Sequence, residues 1–82
     1  MHEVRIPKLG LDTLDCEIRE WLVSPGDRVD RGAPLLQVES EKAVLVIEAS
    51  SSGTLHEIYA KPGDTIAVGA VVAIIDDGGG QG

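Results

Sequence analysis

Apolar residues occur along this chain in short alternating runs, which are interrupted by Pro-Gly-Asp triplets and by single glycines. No window shows the sustained apolar period of about 3.6 residues that an amphipathic helix requires. Short runs rich in β-branched residues and separated by turn residues are typical of a sandwich or barrel of short strands. The pattern therefore predicts an all-β fold, with strands at residues 4–6, 16–22, 28–29, 34–40, 43–49, 53–58, 65–66 and 71–76.

One motif is present twice in the chain. Residues 17–39 align with residues 54–76 without gaps, at a constant offset of 37. Each copy contains a Pro-Gly-Asp triplet followed by a Gly-Ala pair, and similar apolar residues fill much of the remainder. The repeat predicts two half-domains of like structure that are related by a pseudo-two-fold axis.

Both copies also contain the same local irregularities. The Pro-Gly-Asp triplets predict type II turns, because proline presets φ near about −65° and glycine adopts the positive φ needed at the third turn position. Near Glu20 and again near Glu57, successive apolar residues lie three positions apart instead of two. This spacing predicts a β-bulge at each place.

The segment Ser40-Glu41-Lys42 follows the last strand of the first copy and precedes the first strand of the second. It is therefore predicted to be the tip of a β-hairpin that joins the two half-domains. A covalent carrier needs an amine on a long flexible stem, held on a rigid mount that a modifying enzyme can reach. Lys42 meets these requirements by its position, whereas a turn lysine such as Lys61 is expected only to be solvated.

Charge and composition exclude several classes of function. Fourteen acidic and seven basic residues give a net charge of −7, which would repel a phosphate backbone, so no nucleic-acid partner is expected. A chain of 82 residues without a Ser/His/Asp or Cys/His set, and without a phosphate-binding glycine loop, is not expected to be an enzyme. His2 and His56 lie far apart in the sequence, so no metal site is expected.

Cysteine use and hydropathy predict the compartment. Cys16 is the single cysteine, so no internal disulfide can form, and its side chain is expected to be a small buried hydrophobe. The N-terminal MHEVRIPKLG lacks the cationic and apolar regions of a signal peptide. No apolar run approaches the roughly 20 residues needed to cross a bilayer, so no membrane association is expected. We expect a soluble, cytoplasmic protein.

Several short motifs between residues 4 and 75 are shared with a known family. They are Pro7-Lys8-Leu9-Gly10, Glu20-Trp21-Leu22-Val23, Pro25-Gly26-Asp27, Val38-Glu39-Ser40-Glu41-Lys42-Ala43, Ile47-Glu48-Ala49 and Gly53-Thr54-Leu55. With them the chain resembles the lipoyl domains of the acyltransferase (E2) component of 2-oxo acid dehydrogenase complexes, within the biotinyl/lipoyl attachment family. The modification motif of that family is Asp-Lys-Ala, and Glu41 here conserves the carboxylate before the lysine.

The resemblance implies a fold and a cofactor. The fold would be a flattened barrel or sandwich of two four-stranded antiparallel sheets with internal pseudo-two-fold symmetry and Lys42 at a hairpin tip. Lipoate would be amide-linked to Lys42, with Glu41 and Ala43 as flanking recognition residues. The lipoyl domain would comprise residues 1–76, and residues 77–82 would form a Gly-rich flexible tail or the start of a linker.

The resemblance also implies partners. The lipoyl arm would carry acyl groups and electrons between the thiamin-diphosphate enzyme E1, the E2 catalytic core and the flavoprotein E3, and the domain itself would not be catalytic. A lipoate ligase or lipoyl transferase would attach the arm. The complex could act on pyruvate, 2-oxoglutarate, branched-chain 2-oxo acids or acetoin.

Two alternatives to a lipoyl carrier remain open. Biotin carriers of the same family have a methionine on either side of the lysine, so Glu41 and Ala43 favour lipoate over biotin. A biotin carrier domain is nevertheless one alternative, and an unmodified structural or interaction domain is the other. The lipoate-carrying H-protein of glycine cleavage is a longer chain with additional elements.

Other positions suggest a recognition surface near the lysine. The loop at residues 9–15 is predicted to be free of core contacts and to lie near the hairpin. Asp12, Glu39 and Glu41 are candidate contacts to a basic surface of E1. Their alternative interpretation is solvated charge.

Two features differ from the family pattern. Cys16 stands where the family commonly has glycine, so a positive φ at this position would strain the backbone and would be compatible with an exposed thiol. Val44 and Val46 place apolar residues on the outward face of their strand, where the family often has polar ones. They are interpreted either as tolerated surface valines or as a contact patch beside the lysine.

Overall fold

The structure is a computed structural model that describes residues 1–10, 13–41 and 43–78. Its strands are β1 (His2–Arg5), β2 (Asp15–Trp21), β3 (Arg28–Val29), β4 (Pro34–Glu39), β5 (Val44–Glu48), β6 (Gly53–Ile58), β7 (Thr65–Ala67) and β8 (Val71–Asp76). The all-β prediction is confirmed, and each predicted strand is present with ends that differ by at most two residues. Within the described ranges, no helix is long and apolar enough to cross a membrane.

The strands form two four-stranded sheets, in the orders β1-β8-β6-β3 and β5-β4-β2-β7. All neighbouring strands pair antiparallel. The two orders correspond strand by strand, because β1, β8, β6 and β3 occupy the places of β5, β4, β2 and β7. The predicted pseudo-two-fold arrangement of two four-stranded sheets is therefore confirmed.

The turn geometry is the same in both halves. Gly26 and Gly63 have φ of 96° and 95°, as a type II turn requires at this position. In each turn the backbone N–H of the aspartate, Asp27 or Asp64, donates to the carbonyl three residues earlier at 3.0 Å. The carboxylate of the same aspartate accepts from the N–H of that earlier residue, at 2.8 and 2.9 Å. The triplets thus form the predicted turns.

Both predicted bulges are present. The register between β2 and β4 shifts at Arg19, and the register between β6 and β8 shifts at His56. These residues are adjacent to Glu20 and Glu57, where the sequence spacing placed the irregularity. The extra residue on each bulged strand increases its local twist, which helps a sheet of short strands to curve around a core.

The core lies between the two sheets and is entirely apolar among the described residues. Its least exposed large side chains are Ile6, Ile18, Leu35, Leu36, Val38, Leu55, Val72 and Ile75. Trp21 packs half-buried against this cluster, and its Nε1–H donates to the carbonyl of Ala60 at 2.8 Å. Trp21 is therefore a packing residue of this core.

The burial and backbone conformation of Cys16 differ from one prediction. Its side chain is only 3% exposed, and no described residue other than glycine has a positive φ. The predictions of backbone strain and of an exposed thiol at this position were therefore wrong, whereas the prediction of a small buried hydrophobe is confirmed. Burial raises the pKa of the Cys16 thiol, and the neighbouring Asp15 carboxylate raises it further.

The equivalent residue Gly53 explains the error. It has no positive φ either, but a Cβ at this position would overlap the carbonyl oxygen of Asp76 and lie 2.8 Å from Cγ2 of Ile75. Glycine is therefore required at 53 because β8 passes too close for a side chain, not because the backbone is left-handed. The place of Cys16 in the other sheet accommodates a buried side chain.

Candidate functional site

The hairpin that joins the two half-domains is short and closed at its base. β4 and β5 pair in register up to Glu39 and Val44. Beyond this pair the N–H of Ser40 donates to the carbonyl of Ala43 at 2.8 Å, and the Ser40 hydroxyl donates to the same oxygen at 3.2 Å. Only Glu41 and residue 42 lie between the closing residues. The predicted hairpin is confirmed, whereas Lys42 itself lies outside the described residues and its role stays a prediction.

Both strands of the hairpin are anchored in the core. β4 lies between β5 and β2 in its sheet, and its residues Leu35, Leu36 and Val38 are fully buried. β5 contributes the buried Ile47 and the half-buried Leu45. A side chain at the hairpin tip is thus carried by a mount whose position is fixed by close packing.

Carboxylates surround the base of the hairpin. A groove of about 400 Å³ is lined by the carboxylates of Asp15, Glu17, Glu39 and Glu41 together with Cys16, Ser40 and Thr65. Among the described residues, Arg19 places a cation close by, because its Nη1 is 2.9 Å from Oε1 of Glu39 in an exposed ion pair. The site is therefore acidic, and it would attract Lys and Arg side chains of a protein that approaches the hairpin.

The predicted recognition residues are partly brought together. Glu39 and Glu41 both line this groove, and Asp15 at the end of the 9–15 loop lines it too, so this end of the loop lies near the hairpin as predicted. Asp12 lies outside the described residues. The prediction that the loop has no core contacts is wrong at Leu9, because the half-buried side chain of this residue packs against the core.

Asp15 and Glu17 line the groove although neither was predicted as a recognition residue. Glu17 reaches the site because β2 pairs with β4 in a register that places it opposite Glu39. The bulge at Arg19 displaces this register by one residue, and the spacing of the sequence alone does not fix the exact position of a bulge. The repeated carboxylates at 15, 17, 39 and 41 are the signal that could have identified the groove.

Two outward residues of β5, Val44 and Val46, are exposed and apolar, as the sequence predicted. Val44 is 52% exposed and Val46 is 47% exposed, while Ile47 faces the core. No group of three or more metal-ligating side chains is found in the described part of the chain. The chemical features at the hairpin are therefore a lysine position, an acidic groove and two exposed valines.

Comparison with known proteins identifies similar chains. A family model for biotin/lipoyl attachment, described as "biotin-requiring enzyme", matches residues 2–75. The succinyltransferase component of the 2-oxoglutarate dehydrogenase complex of Bacillus subtilis is 36% identical over 81 residues, covering 99% of this chain and 19% of the relative. The acetyltransferase component of the pyruvate dehydrogenase complex of Corynebacterium glutamicum is 40% identical over 75 residues, covering 92% of this chain and 11% of the relative.

A solved structure shares the fold. The lipoyl domain of the 2-oxoglutarate dehydrogenase complex from Azotobacter vinelandii superposes with a TM-score of 0.73 at 24% identity, covering 92% of this chain and 95% of that one. This likeness concerns the fold. The chain spans about a fifth or less of the length of the two curated relatives.

Proposed function

The chain belongs to the biotin/lipoyl attachment family, and on this basis we propose that it is a lipoyl carrier domain with lipoate amide-linked to Lys42. The observation that carries the proposal is the hairpin closed by Ser40 and Ala43, which leaves only Glu41 and Lys42 at its tip. Glu41 and Ala43 flank the lysine without the methionines of a biotin carrier, which supports lipoate.

The residues of this chain act as a mount. Acylation of Lys42 would convert a charged ammonium into a neutral amide, so the side chain would become part of an uncharged arm. When bound, lipoate supplies a disulfide that can be reductively acylated and later reoxidised. The Ser40–Ala43 hydrogen bonds and the buried residues of β4 hold the base of the arm in place. Tethering of this kind raises the local concentration of the carried group at each active site.

The proposed partners follow from the same function. They are a thiamin-diphosphate E1, an E2 catalytic core, an E3 flavoprotein and a lipoate ligase or lipoyl transferase, with the cytoplasm as the proposed compartment. The acidic groove at the hairpin base is suited to basic surfaces on such partners. The proposed folded unit is residues 1–76, because β8 ends at Asp76, and residues 77–82 would begin a linker.

Intact-mass measurement after enzymatic modification tests the attachment site. The domain is incubated separately with lipoate ligase, lipoate and ATP, and with biotin ligase, biotin and ATP. One lipoyl adduct is expected on the wild-type chain and on the control Lys61→Arg, and none on Lys42→Arg. A lipoyl adduct on Lys42→Arg would overturn the site, and an adduct from biotin ligase alone would establish the biotin carrier instead. Absence of any adduct would favour an unmodified interaction domain.

A second measurement identifies the complex. The lipoylated domain is offered to E1 enzymes specific for pyruvate, 2-oxoglutarate, branched-chain 2-oxo acids and acetoin, each with its own substrate. The similar proteins include components of both a 2-oxoglutarate and a pyruvate dehydrogenase complex, so all four are compared. The E1 with the highest kcat/KM for reductive acylation is assigned as the partner.

A further inference from the structure

The pseudo-two-fold axis provides an internal control for the exposed valines. β1 and β5 are equivalent edge strands, and Glu3 and Val46 occupy equivalent places in their registers. In β1 the outward residues Glu3 and Arg5 form an ion pair of 2.6 Å. The fold therefore accepts a charged residue at the place of Val46. Val44 and Val46 are both exposed, so neither belongs to the core.

The edges of the two sheets differ in how they are protected. β3 and β7 are edge strands of only two and three residues, and β1 carries the exposed ion pair of Glu3 and Arg5. Short strands and charges are the usual means by which sheet edges avoid binding other chains. β5 is the longest edge strand, with five residues, and its one charged residue, Glu48, lies at the end away from the hairpin. Exposed apolar surface on the sheet edges is thus concentrated beside the hairpin.

The charges around the valines favour one kind of partner. Val44 lies opposite Glu39 in register, Glu17 lies next across the sheet, and Glu48 ends β5. A second copy of this chain, with its net charge of −7, would bring like charges together at such a contact. A partner that offers an aliphatic contact surrounded by Lys or Arg would satisfy both features.

We infer that Val44 and Val46 form the aliphatic contact for the E1 enzyme that acylates the arm on Lys42, with Lys or Arg side chains of that enzyme meeting the carboxylates around them. The inference rests on the proposed lipoyl function. An enzyme that draws the arm into its active site must approach the hairpin, and these valines follow residue 42 by two and four positions. Burial of two aliphatic side chains in such a contact contributes binding free energy.

The variant Val44→Thr/Val46→Thr tests the contact. Threonine keeps the β-branched shape that suits an exposed strand, so the fold is expected to persist, and amide NMR dispersion verifies this. The control is Leu22→Thr/Tyr59→Thr, which removes two other exposed hydrophobic side chains. Leu22 hydrogen-bonds to Leu35 near the start of β4, away from the hairpin that follows its end.

Both variants and the wild-type chain are lipoylated, and reductive acylation by the assigned E1 is measured. The valine variant is expected to lose about tenfold in kcat/KM, mainly through KM, while the control stays within about twofold. The wild-type kcat/KM should also fall as salt is raised, because the contact includes charges.

Three results would overturn the inference. One is a kcat/KM for the valine variant that stays within about twofold of the wild-type value. Another is a loss confined to the rate of lipoylation by the ligase, which would make the ligase the partner. The third is a wild-type dimer in sedimentation equilibrium that dissociates in the variant, which would make a second copy the partner. Failure of the proposed function itself is distinguishable, because the wild-type chain would then receive no lipoyl adduct.

Discussion

The hairpin between β4 and β5 can be compared with the pairing of β8 and β1, which are the equivalent strands of the other sheet. At the hairpin, Ser40 and Ala43 close a turn that has only two residues at its tip. β8 and β1 are instead paired strands from opposite ends of the sequence, and Met1 lies near Asp77, with its ammonium 3.5 Å from Oδ1. The duplicated fold thus provides two equivalent places, but only the one with a continuous tight turn can hold a side chain at a fixed tip.

The comparison extends to positions where the halves have the same backbone and different side chains. Cys16 is buried in one half, whereas in the other half β8 leaves no room for a Cβ at Gly53. Gly26 and Gly63, by contrast, have nearly the same φ. Equivalent turns are therefore maintained by the same residue type, while equivalent strand positions have diverged with their neighbours.

The largest effect is expected at Gly53. Gly53→Ala should destabilise the fold by about 3 kcal/mol, because the added Cβ forces β6 and β8 apart. Cys16→Ala, its counterpart, should cost about 1–2 kcal/mol through loss of a small buried side chain. Urea unfolding followed by Trp21 fluorescence measures both. Equal costs for the two variants would contradict the distinction between the halves.

The turn glycines should behave alike. Gly26→Ala and Gly63→Ala should each cost about 1–2 kcal/mol, because both positions have positive φ and neither added Cβ meets a neighbouring atom. Urea unfolding again provides the free energies. A difference above about 1 kcal/mol between them would mean that the two turns are not energetically equivalent.

The pH dependence of stability should contain a contribution from Cys16 and none from its equivalent, Gly53. Burial raises the pKa of Cys16 in the folded state, so the unfolded chain ionises first as pH rises. The free energy of unfolding should therefore decline above the ordinary thiol pKa of 9.0, and part of this decline should be absent in Cys16→Ala. Denaturation curves between pH 7 and about 10.5 measure the difference. Identical pH profiles would exclude the thiol as the cause.

The smallest effect is expected at the hairpin itself. Ser40→Ala removes the hydroxyl that donates to Ala43 but leaves the backbone hydrogen bond, so the loss should be about 0.5–1 kcal/mol. Hydrogen exchange at the Ser40 amide, which donates to Ala43, should become faster, while Ser51→Ala, at a side chain without a hydrogen bond to another described residue, leaves it unchanged. Unaltered exchange in Ser40→Ala would mean that the hydroxyl does not hold the turn.

Much of this fold could be predicted from the sequence because its signals are local. The strands, the two Pro-Gly-Asp turns and the bulges near Glu20 and Glu57 follow from spacing and turn residues within short segments. Lys42 was singled out by its place between the copies and by the motif around it. These features do not depend on how distant strands pack against each other.

The errors and omissions concern contacts between distant segments. The glycine that the family commonly has at the place of Cys16 suggested a positive φ there. The equivalent Gly53 is instead required by the close approach of β8, which the sequence of β6 does not contain. Glu17 joins the acidic groove through the register across β2 and β4. Leu9 packs on a core that only forms when both sheets are present.

The composition of the sheets makes the two halves of the chain depend on each other. Each sheet takes two strands from the first half of the chain and two from the second, since β1 and β3 pair with β6 and β8 while β2 and β4 pair with β5 and β7. Either half alone would lack neighbours for its strands, and two copies of one half could complete both sheets only by exchanging strands. The arrangement of the strands is that of a strand-swapped dimer whose two halves are joined in one chain. Lys42 lies in the short segment that joins these halves.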